Sequence, residues 1–303
     1  MEQLFRNFLE RMKKEHNLVE AMCLSNKDGV IFKEQLIPRN PRNIYSHSKS
    51  FASLMVGIAI DEKKITFDTR LVDVFKDEID NETYNRLYKI KVKHLLNMSS
   101  GFNKGLLFMG QRRQAQGYPD YLKFMLSQEL ECEPGEKFLY SNGDTYLLGR
   151  IISKVYNESF LKLCVEKIFL PLEIGVPIWG VDPDGYCICA SDLFLNVEEM
   201  NRLGILFLNE GVYKGKRIVS KEYVEMCSKE QIYTSGWGNY SNQFWMVPEG
   251  EGYRADGAHG QITFIWPKYN LTFSIQRLED TRLDEMLTIL REEVLSKLQR
   301  KSY

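Results

Sequence analysis

The sequence predicts an α/β fold of the α+β type, with one antiparallel sheet built from both termini, flanking helices and an inserted, mostly helical region. Strand-like segments at 21–25 and 30–33 flank an Asn26-Lys27-Asp28-Gly29 turn, which indicates a hairpin. Three more strand-like stretches lie near the C-terminus, at 243–247, 261–265 and 271–276. Helical patterns dominate between these two groups, so strands from both ends are expected to share one sheet.

Both ends of the chain also carry amphipathic helical patterns. The apolar positions of the N-terminal pattern are Leu4, Phe5, Phe8, Leu9 and Met12, and those of the C-terminal pattern are Leu283, Met286, Leu287, Leu290, Val294 and Leu298. We interpret the first pattern as a surface helix of the protein. A membrane-surface helix is the alternative, and the acidic residues that interrupt its polar face argue against it.

The chain contains no internal repeat and no Pro- or Ser-rich linker, so we expect one catalytic domain over residues 1–303. Within it, the sheet part covers about 1–48 and 205–303 and the helical part about 49–204. A net charge of -1 gives no general basis for binding nucleic acid. No apolar run reaches the roughly 18 residues needed to span a bilayer, and no secretory leader is recognised. A cytoplasmic location is therefore expected.

The six cysteines are interpreted as mostly buried, reduced residues, because their density is too low for a disulfide framework. Only Cys187 and Cys189 are closely spaced, and their alternation fits two thiols on one face of a strand. No metal site and no cofactor are predicted, since four scattered histidines offer no ligand spacing.

A Ser46-x-x-Lys49 motif stands directly ahead of the apolar run 51–60. On a helix the two side chains share a face, which brings the hydroxyl and the amine within reach of each other. A lysine in apolar surroundings can have a pKa low enough to take the proton of a serine, which activates the serine as a nucleophile. The motif is typical of acyl-transfer enzymes.

Three other segments accompany this pair. Tyr140-Ser141-Asn142 lies between a Pro-Gly turn and the helical run 144–155, His94-Leu95-Leu96-Asn97-Met98-Ser99-Ser100-Gly101 precedes it, and Gly257-Ala258-His259-Gly260-Gln261 stands near the C-terminus. In this order, the segments resemble the serine β-lactamase and penicillin-binding-protein superfamily. The closest branch contains class C β-lactamases, D-alanyl-D-alanine peptidases and β-lactamase-like carboxylesterases. The resemblance covers about residues 20–280 and implies a β-lactamase/transpeptidase-like fold with its active site in a cleft.

The resemblance also assigns roles. It implies that Ser46 is the nucleophile, that Lys49 is its base, and that the Tyr140 oxygen assists proton transfer while the Asn142 amide holds the lysine and the substrate. Tyr-Ser-Asn occurs a second time at 240–242, where a turn leads into a strand. The first copy is the one that falls where the family has its Tyr-x-Asn motif.

The third segment matches only in part. Many relatives carry Lys-Thr-Gly on the strand beside the nucleophile, whereas the matching stretch here reads Ala258-His259-Gly260. His259 is a candidate for substrate binding that faces either the cleft or the opposite side. Gly260 would allow close approach to the strand backbone. The backbone N–H groups of Ser46 and of Gln261, or a neighbour of Gln261, would form the oxyanion hole.

Two further groups are interpreted as non-catalytic. His47 points about 100° away from Ser46 on a helix and is assigned a structural role. Arg112 and Arg113 are interpreted as a solvated charge run in a loop, which could alternatively line the rim of the cleft and meet an acidic substrate.

These observations favour a serine hydrolase that acts on small acyl compounds, esters or amides, through a covalent acyl-enzyme. A β-lactamase or D-Ala-D-Ala carboxypeptidase is the alternative, and a non-catalytic binding protein on the same fold is the second. A Ser-His-Asp hydrolase is disfavoured because no G-x-S-x-G turn exists, and a nucleotide enzyme because no phosphate-binding glycine loop exists. The natural substrate and the oligomeric state stay open.

Overall fold

A computed structural model of the chain describes residues 1–229, 232–234, 238–247, 252–278 and 283–301. Its central element is a seven-stranded sheet. The strands are β1 (Val19–Asn26), β2 (Gly29–Gln35), β7 (Tyr240–Ser241), β8 (Phe244–Val247), β9 (Gly252–Gly257), β10 (Gln261–Trp266) and β11 (Leu271–Arg277). They lie in the order β2-β1-β11-β10-β9-β8-β7, and all neighbours are antiparallel. The predicted sheet from both termini is thus confirmed.

The first two strands form the predicted hairpin, in which Asn26 pairs with Gly29. The turn is closed by the Asn26 side chain, whose Oδ1 accepts hydrogen bonds from the backbone N–H groups of Asp28 (2.8 Å) and Gly29 (3.0 Å). Asparagine in this position replaces a backbone acceptor, which is why it favours turns. Strand β1 is buried along almost its whole length, because helices cover both faces of the sheet.

The two terminal segments cover one face of the sheet. Helix α1 (Glu2–Lys14) packs beside the C-terminal helical segment, which comprises α12 (Leu283–Leu290), a π-helical turn (Arg291–Leu295) and α13 (Ser296–Lys301). The rings of Phe5 and Phe8 lie 4.7 Å and 5.9 Å from the ring of Phe273 on β11. The apolar stripes read from the sequence therefore face the sheet.

Helix α10 (Val197–Leu208) packs on the opposite face of the sheet. Its approach to the strands depends on Gly204, since a Cβ at this position would lie only 2.0 Å from Thr272 Oγ1. Asn201 then joins the helix to two strands, accepting from Ser25 Oγ (2.5 Å) and donating to Ser274 Oγ (3.2 Å). Helix and sheet thus meet through small and polar side chains.

The remaining elements form the helical region and two small ribbons. The helices are α2 (Ser48–Asp61), α3 (Leu71–Val74), α4 (Asn81–Leu87), α5 (Val92–Leu96), α6 (Met109–Arg113), α7 (Tyr121–Leu126), α8 (Asn142–Tyr156), α9 (Phe160–Cys164) and α11 (Lys221–Cys227). The ribbons pair β3 (Arg42–Asn43) with β4 (Phe194–Leu195) and β5 (Val212–Tyr213) with β6 (Lys216–Arg217). Helices α2 and α8 lie at the centre of the core, with almost every residue of α2 buried. Within the described ranges, no helix is long and apolar enough to cross a membrane.

Candidate active site

Ser46 lies in a 3₁₀ turn, Tyr45–His47, that leads directly into α2. Three contacts hold this turn. The Tyr45 N–H donates to Asn43 Oδ1 (2.8 Å), Ser48 Oγ donates to the Tyr45 carbonyl (2.6 Å), and His47 Nε2 lies 2.8 Å from Thr263 Oγ1 on β10. The serine is therefore held at the junction of the sheet with the most deeply buried helix.

Lys49 lies one turn further along, and only 1% of it is exposed. Its Nζ is 3.1 Å from Ser46 Oγ, 2.7 Å from Asn142 Oδ1 and 2.8 Å from the carbonyl oxygen of Ala190. Burial lowers the pKa of the Lys49 amine well below its ordinary value. The Arg112 guanidinium lowers that pKa further, while the Asp192 carboxylate acts in the opposite direction.

This geometry has a direct chemical consequence. A neutral amine has two N–H bonds and one lone pair. The Asn142 and Ala190 oxygens have no proton to give, so they can engage Nζ only as acceptors of its two N–H groups. The lone pair then remains for the third neighbour, the hydroxyl of Ser46. The arrangement can therefore take a proton from Ser46, which is the requirement for a serine nucleophile.

Asn142 and Tyr140 complete the group around Ser46. Asn142 opens α8, and its Nδ2 donates to the carbonyl of Leu107 (3.2 Å), which orients the amide so that Oδ1 faces Lys49. The ring of Tyr140 lies 4.9 Å from Lys49 Nζ. Burial raises the pKa of the Tyr140 hydroxyl, and a hydrogen bond with Ser46 opposes that rise. The hydroxyl is therefore a neutral group that can receive or pass on a proton.

Aromatic rings surround Tyr140. Their centroids lie 5.8 Å (Trp245), 6.3 Å (Phe108 and Tyr240) and 6.4 Å (Phe138) from that of Tyr140. Phe108, Phe138 and Trp245 are half-buried and so present part of their surface beside Tyr140. This side of the site is apolar.

The second Tyr-Ser-Asn copy lies in the same cluster but contributes to packing. Tyr240 is fully buried, and the backbone N–H of Asn242 donates to Asn97 Oδ1 (2.9 Å). The next residue, Gln243, accepts from Thr145 Oγ1 on α8 (2.7 Å), and its backbone carbonyl accepts from Ser50 Oγ on α2 (2.9 Å). The copy thus ties the sheet edge to α2 and α8.

The structure corrects the register of the third segment. Gly260 faces Arg277, since a Cβ there would lie 2.7 Å from Arg277 Cδ, and the Gln261 side chain donates to the Arg277 carbonyl (2.7 Å). The backbone that meets the Tyr45–His47 turn is that of Gly257, where a Cβ would lie 2.1 Å from the Ile44 carbonyl oxygen and 3.2 Å from His47 N. A 3₁₀ turn (Ala258–Gly260) follows β9 and rotates the next residues away, which sequence spacing does not indicate.

His259 lies in that turn with a left-handed backbone (φ 62°). Its half-buried ring is 4.7 Å from the ring of Tyr45, the residue that precedes Ser46. The structure therefore places His259 beside the turn that contains Ser46.

Two other sequence interpretations differ in outcome. His47 is fully buried, and burial lowers its pKa to about 3, so it is a neutral side chain anchored on Thr263, as its assigned structural role requires. Arg112 is not part of a solvated charge run. It lies in the short helix α6, its side chain is only 13% exposed, and it forms an ion pair with Asp192 at 2.7 Å.

Asp144 is a buried group that no sequence motif indicates. It lies in the first turn of α8, where Oδ1 accepts from Ser100 Oγ (2.9 Å) and Oδ2 has no hydrogen-bond partner. Burial raises its pKa to about 8, although the hydrogen bonds from Ser100 act against the rise. Cys187 and Cys189 also depart from expectation, because no strand forms there and Cys189 has a left-handed backbone.

Among the residues that the structure describes, no three His, Cys, Asp or Glu side chains are grouped so that they could hold a metal ion.

A model of the Beta-lactamase family matches residues 33–277. The 6-aminohexanoate-dimer hydrolase of Paenarthrobacter ureafaciens is 23% identical over 255 residues, which are 76% of this chain and 64% of that protein. The octameric penicillin-binding protein homologue from Pyrococcus abyssi superposes with a TM-score of 0.77 at 19% identity, covering 97% of this chain and 77% of the other. A family VIII carboxylesterase superposes with a TM-score of 0.77 at 14% identity, covering 96% of both chains.

The fold and the match over most of the chain define the class: the protein belongs to the Beta-lactamase family. The chain spans less than two thirds of the length of its curated relative, and the related proteins include hydrolases. The suspected superfamily and fold are thus confirmed.

The Asp144 carboxyl generates a prediction about stability. Its folded pKa of about 8 lies above the ordinary value of 3.8, so folding takes up a proton between these pH values. The contribution of this group to stability is present below about pH 4 and is lost as the pH rises toward 8. Asp144→Asn keeps an acceptor for Ser100 without this loss. The Tm of the variant minus that of the wild type should be near zero at pH 4 and increase up to about pH 8.

Asp184→Asn is the control, because Asp184 is exposed and should give a difference that does not change with pH in this way. A Tm difference for Asp144→Asn that is constant from pH 4 to pH 8, measured by thermal denaturation, would show that the carboxyl is ionised in the folded protein.

Proposed function

We propose that the protein is a serine hydrolase that forms a covalent acyl-enzyme at Ser46 and acts on small esters or amides. The observation that carries this proposal is the position of Lys49 Nζ, buried, 3.1 Å from Ser46 Oγ and bound to two acceptors that leave its lone pair for the serine proton. An exposed, solvated lysine would be protonated at neutral pH and unable to act as this base.

The proposed reaction proceeds in two half-reactions. Ser46 Oγ attacks the acyl carbon while its proton passes to Lys49 Nζ, and the leaving group departs with a proton delivered through the Tyr140 hydroxyl. Water then attacks the acyl-enzyme, gives up its proton along the same route and returns Ser46 to its free form. The backbone N–H of Ser46 and that of Ala258, the residue after Gly257, are our candidates for stabilising the oxyanion.

The surroundings of Ser46 support an uncharged acyl substrate. The end of β9 that meets the nucleophile turn reads Ala255-Asp256-Gly257 and contains no lysine to bind a substrate carboxylate. Asp256 accepts from Arg254 at 2.8 Å, so both charges are already paired. The half-buried rings of Phe108, Phe138 and Trp245 provide apolar contact area instead.

The first test of this proposal concerns Ser46. Ser46→Ala should lower turnover by roughly 10⁴-fold or more, because it removes the only proposed covalent route. Intact mass after treatment with a fluorophosphonate should show a single adduct, and peptide mapping should place it on Ser46. Ser48→Ala is the matched control. It removes a neighbouring hydroxyl that is engaged with the Tyr45 carbonyl and leaves Ser46 in place, so this variant should still be labelled. Labelling on any other serine contradicts the assignment.

The two Tyr-Ser-Asn copies provide a second test. Tyr140→Phe should reduce kcat on the order of 10²- to 10⁴-fold by removing a proton-transfer group. Tyr240→Phe should leave the kinetics nearly unchanged, because its buried hydroxyl has no hydrogen-bond partner to lose. Steady-state kinetics of both variants, with circular dichroism to check folding, make the comparison. A larger loss at Tyr240 would mean that the second copy is the catalytic one.

Substrate preference is the third test. A charge-assisted hydrogen bond to a carboxylate contributes roughly 1.5–3 kcal/mol, which this site lacks on β9. The purified protein should therefore hydrolyse p-nitrophenyl esters of short acids with a kcat/KM well above that for benzylpenicillin. Faster hydrolysis of benzylpenicillin would instead identify a β-lactamase. Turnover of neither, with Ser46 unreactive toward the fluorophosphonate, would favour a binding protein.

A further inference from the structure

Two backbone carbonyls determine the orientation of the groups around Ser46. The Ala190 carbonyl accepts from Lys49 Nζ (2.8 Å), and the Leu107 carbonyl accepts from Asn142 Nδ2 (3.2 Å). Both residues lie in segments without helix or strand, and Leu107 has a left-handed backbone (φ 57°). Irregular segments have no ladder of their own to fix the direction of a carbonyl, so these carbonyls need other support.

Arg112 contacts both segments at once. Its Nε donates to the Leu107 carbonyl (3.1 Å), and its Nη2 donates to Ser191 Oγ (2.8 Å) and to Asp192 Oδ2 (2.7 Å), which directly follow Ala190. The planar fork of a guanidinium can bridge acceptors in this way, whereas the ammonium of a lysine cannot reproduce its geometry.

Asp192 extends the connection to the nucleophile. Its Oδ1 accepts from Asn43 Nδ2 (3.1 Å), and Asn43 Oδ1 accepts from the N–H of Tyr45 (2.8 Å), the residue before Ser46. The Arg112 and Asp192 side chains are only 13% and 19% exposed, so the pair is shielded from solvent more than an ordinary surface ion pair.

We propose that Arg112 and Asp192 are positioning residues for acyl transfer. They hold the nucleophile turn and the two carbonyls that accept from Lys49 and Asn142 in their relative positions, and they balance the charge around the Lys49 amine. This inference rests on the proposed function. It assigns Arg112 to the interior of the site instead of to the recognition of an acidic substrate, because its Nε and Nη2 are already directed to Leu107, Ser191 and Asp192.

The charges make this role distinguishable from a purely structural one. Three titratable groups from other elements lie around the Lys49 amine in the described residues: Tyr140 from the segment before α8, Arg112 from α6 and Asp192 from the segment before β4. His47, in the turn before α2, is neutral and is directed toward Thr263. Asp256 on β9 acts on Tyr140. Burial lowers the pKa of Lys49 first, Arg112 lowers it further and Asp192 raises it. Removing one member of the pair should therefore shift this pKa in the opposite direction from removing the other.

The experiment measures the rate of fluorophosphonate labelling at Ser46 from pH 5 to pH 10, with Arg112→Gln, Arg112→Lys, Asp192→Asn and, as control, Arg113→Gln. Arg113 is the exposed neighbour of Arg112 in the same helix and should have no effect. Arg112→Gln should move the acid limb of the profile to higher pH, because the lysine loses a nearby positive charge. Asp192→Asn should move it to lower pH. Arg112→Lys keeps the charge, so its limb should stay in place while its plateau rate falls, by up to about 10²-fold, through lost positioning.

Thermal denaturation identifies any variant that does not fold, and if Arg112→Gln fails to fold, Arg112→Lys and Asp192→Asn carry the comparison. The inference is overturned if the acid limb of the labelling profile does not move, or if it moves in the same direction in Arg112→Gln and Asp192→Asn. In that case, labelling of Ser46 in the wild type leaves the proposed function intact. Absence of Ser46 labelling in the wild type overturns the proposed function, and this inference with it.

Discussion

The burial of the Lys49 amine is the constraint on which the site depends. An ammonium that is only 1% exposed would be costly in this environment, and burial accordingly lowers its pKa. The group is accommodated because Asn142 Oδ1 and the Ala190 carbonyl accept its N–H bonds. Helix α8, the segment before β4 and the start of α2 must therefore meet at one point. The same condition that satisfies a buried polar group also directs its lone pair at Ser46.

A second constraint is the contact between the Tyr45–His47 turn, which contains Ser46, and the sheet. Gly257 has no side chain to separate β9 from the turn, and His47 reaches Thr263 on β10. The sheet, made from both termini, thus fixes the position of the serine in the turn that leads into α2. Burial also acts on two other ionisable groups of the core: it lowers the pKa of His47 to about 3 and raises that of Asp144, in α8, to about 8. The pair Arg112–Asp192 is the charged exception beside Lys49, and its two charges offset each other.

Membership of the Beta-lactamase family and the likeness to hydrolases agree with this site, while the departures from the common pattern bear on substrate. The strand end beside Ser46 carries Ala255-Asp256-Gly257 and no lysine, and aromatic rings surround Tyr140. One fold can support many functions, so the distinction between substrates must come from the side chains around Ser46 and not from the topology.

The sequence alone predicted the elements that depend on local patterns. These are the Asn26–Gly29 hairpin, the strands near both ends, the terminal amphipathic helices and the Ser46–Lys49 pair, since periodicity and short motifs are local signals. The position of Tyr140 and Asn142 beside this pair was implied instead by the resemblance to the β-lactamase superfamily. The tertiary structure decided what depends on distant contacts. Because a 3₁₀ turn follows β9, the glycine in close contact with the Tyr45–His47 turn is Gly257 and not Gly260. Arg112, expected at the surface, is half-buried because it pairs with Asp192, 80 residues away. Neither position carries a pattern in its own neighbourhood, because burial and pairing arise only when separate segments meet.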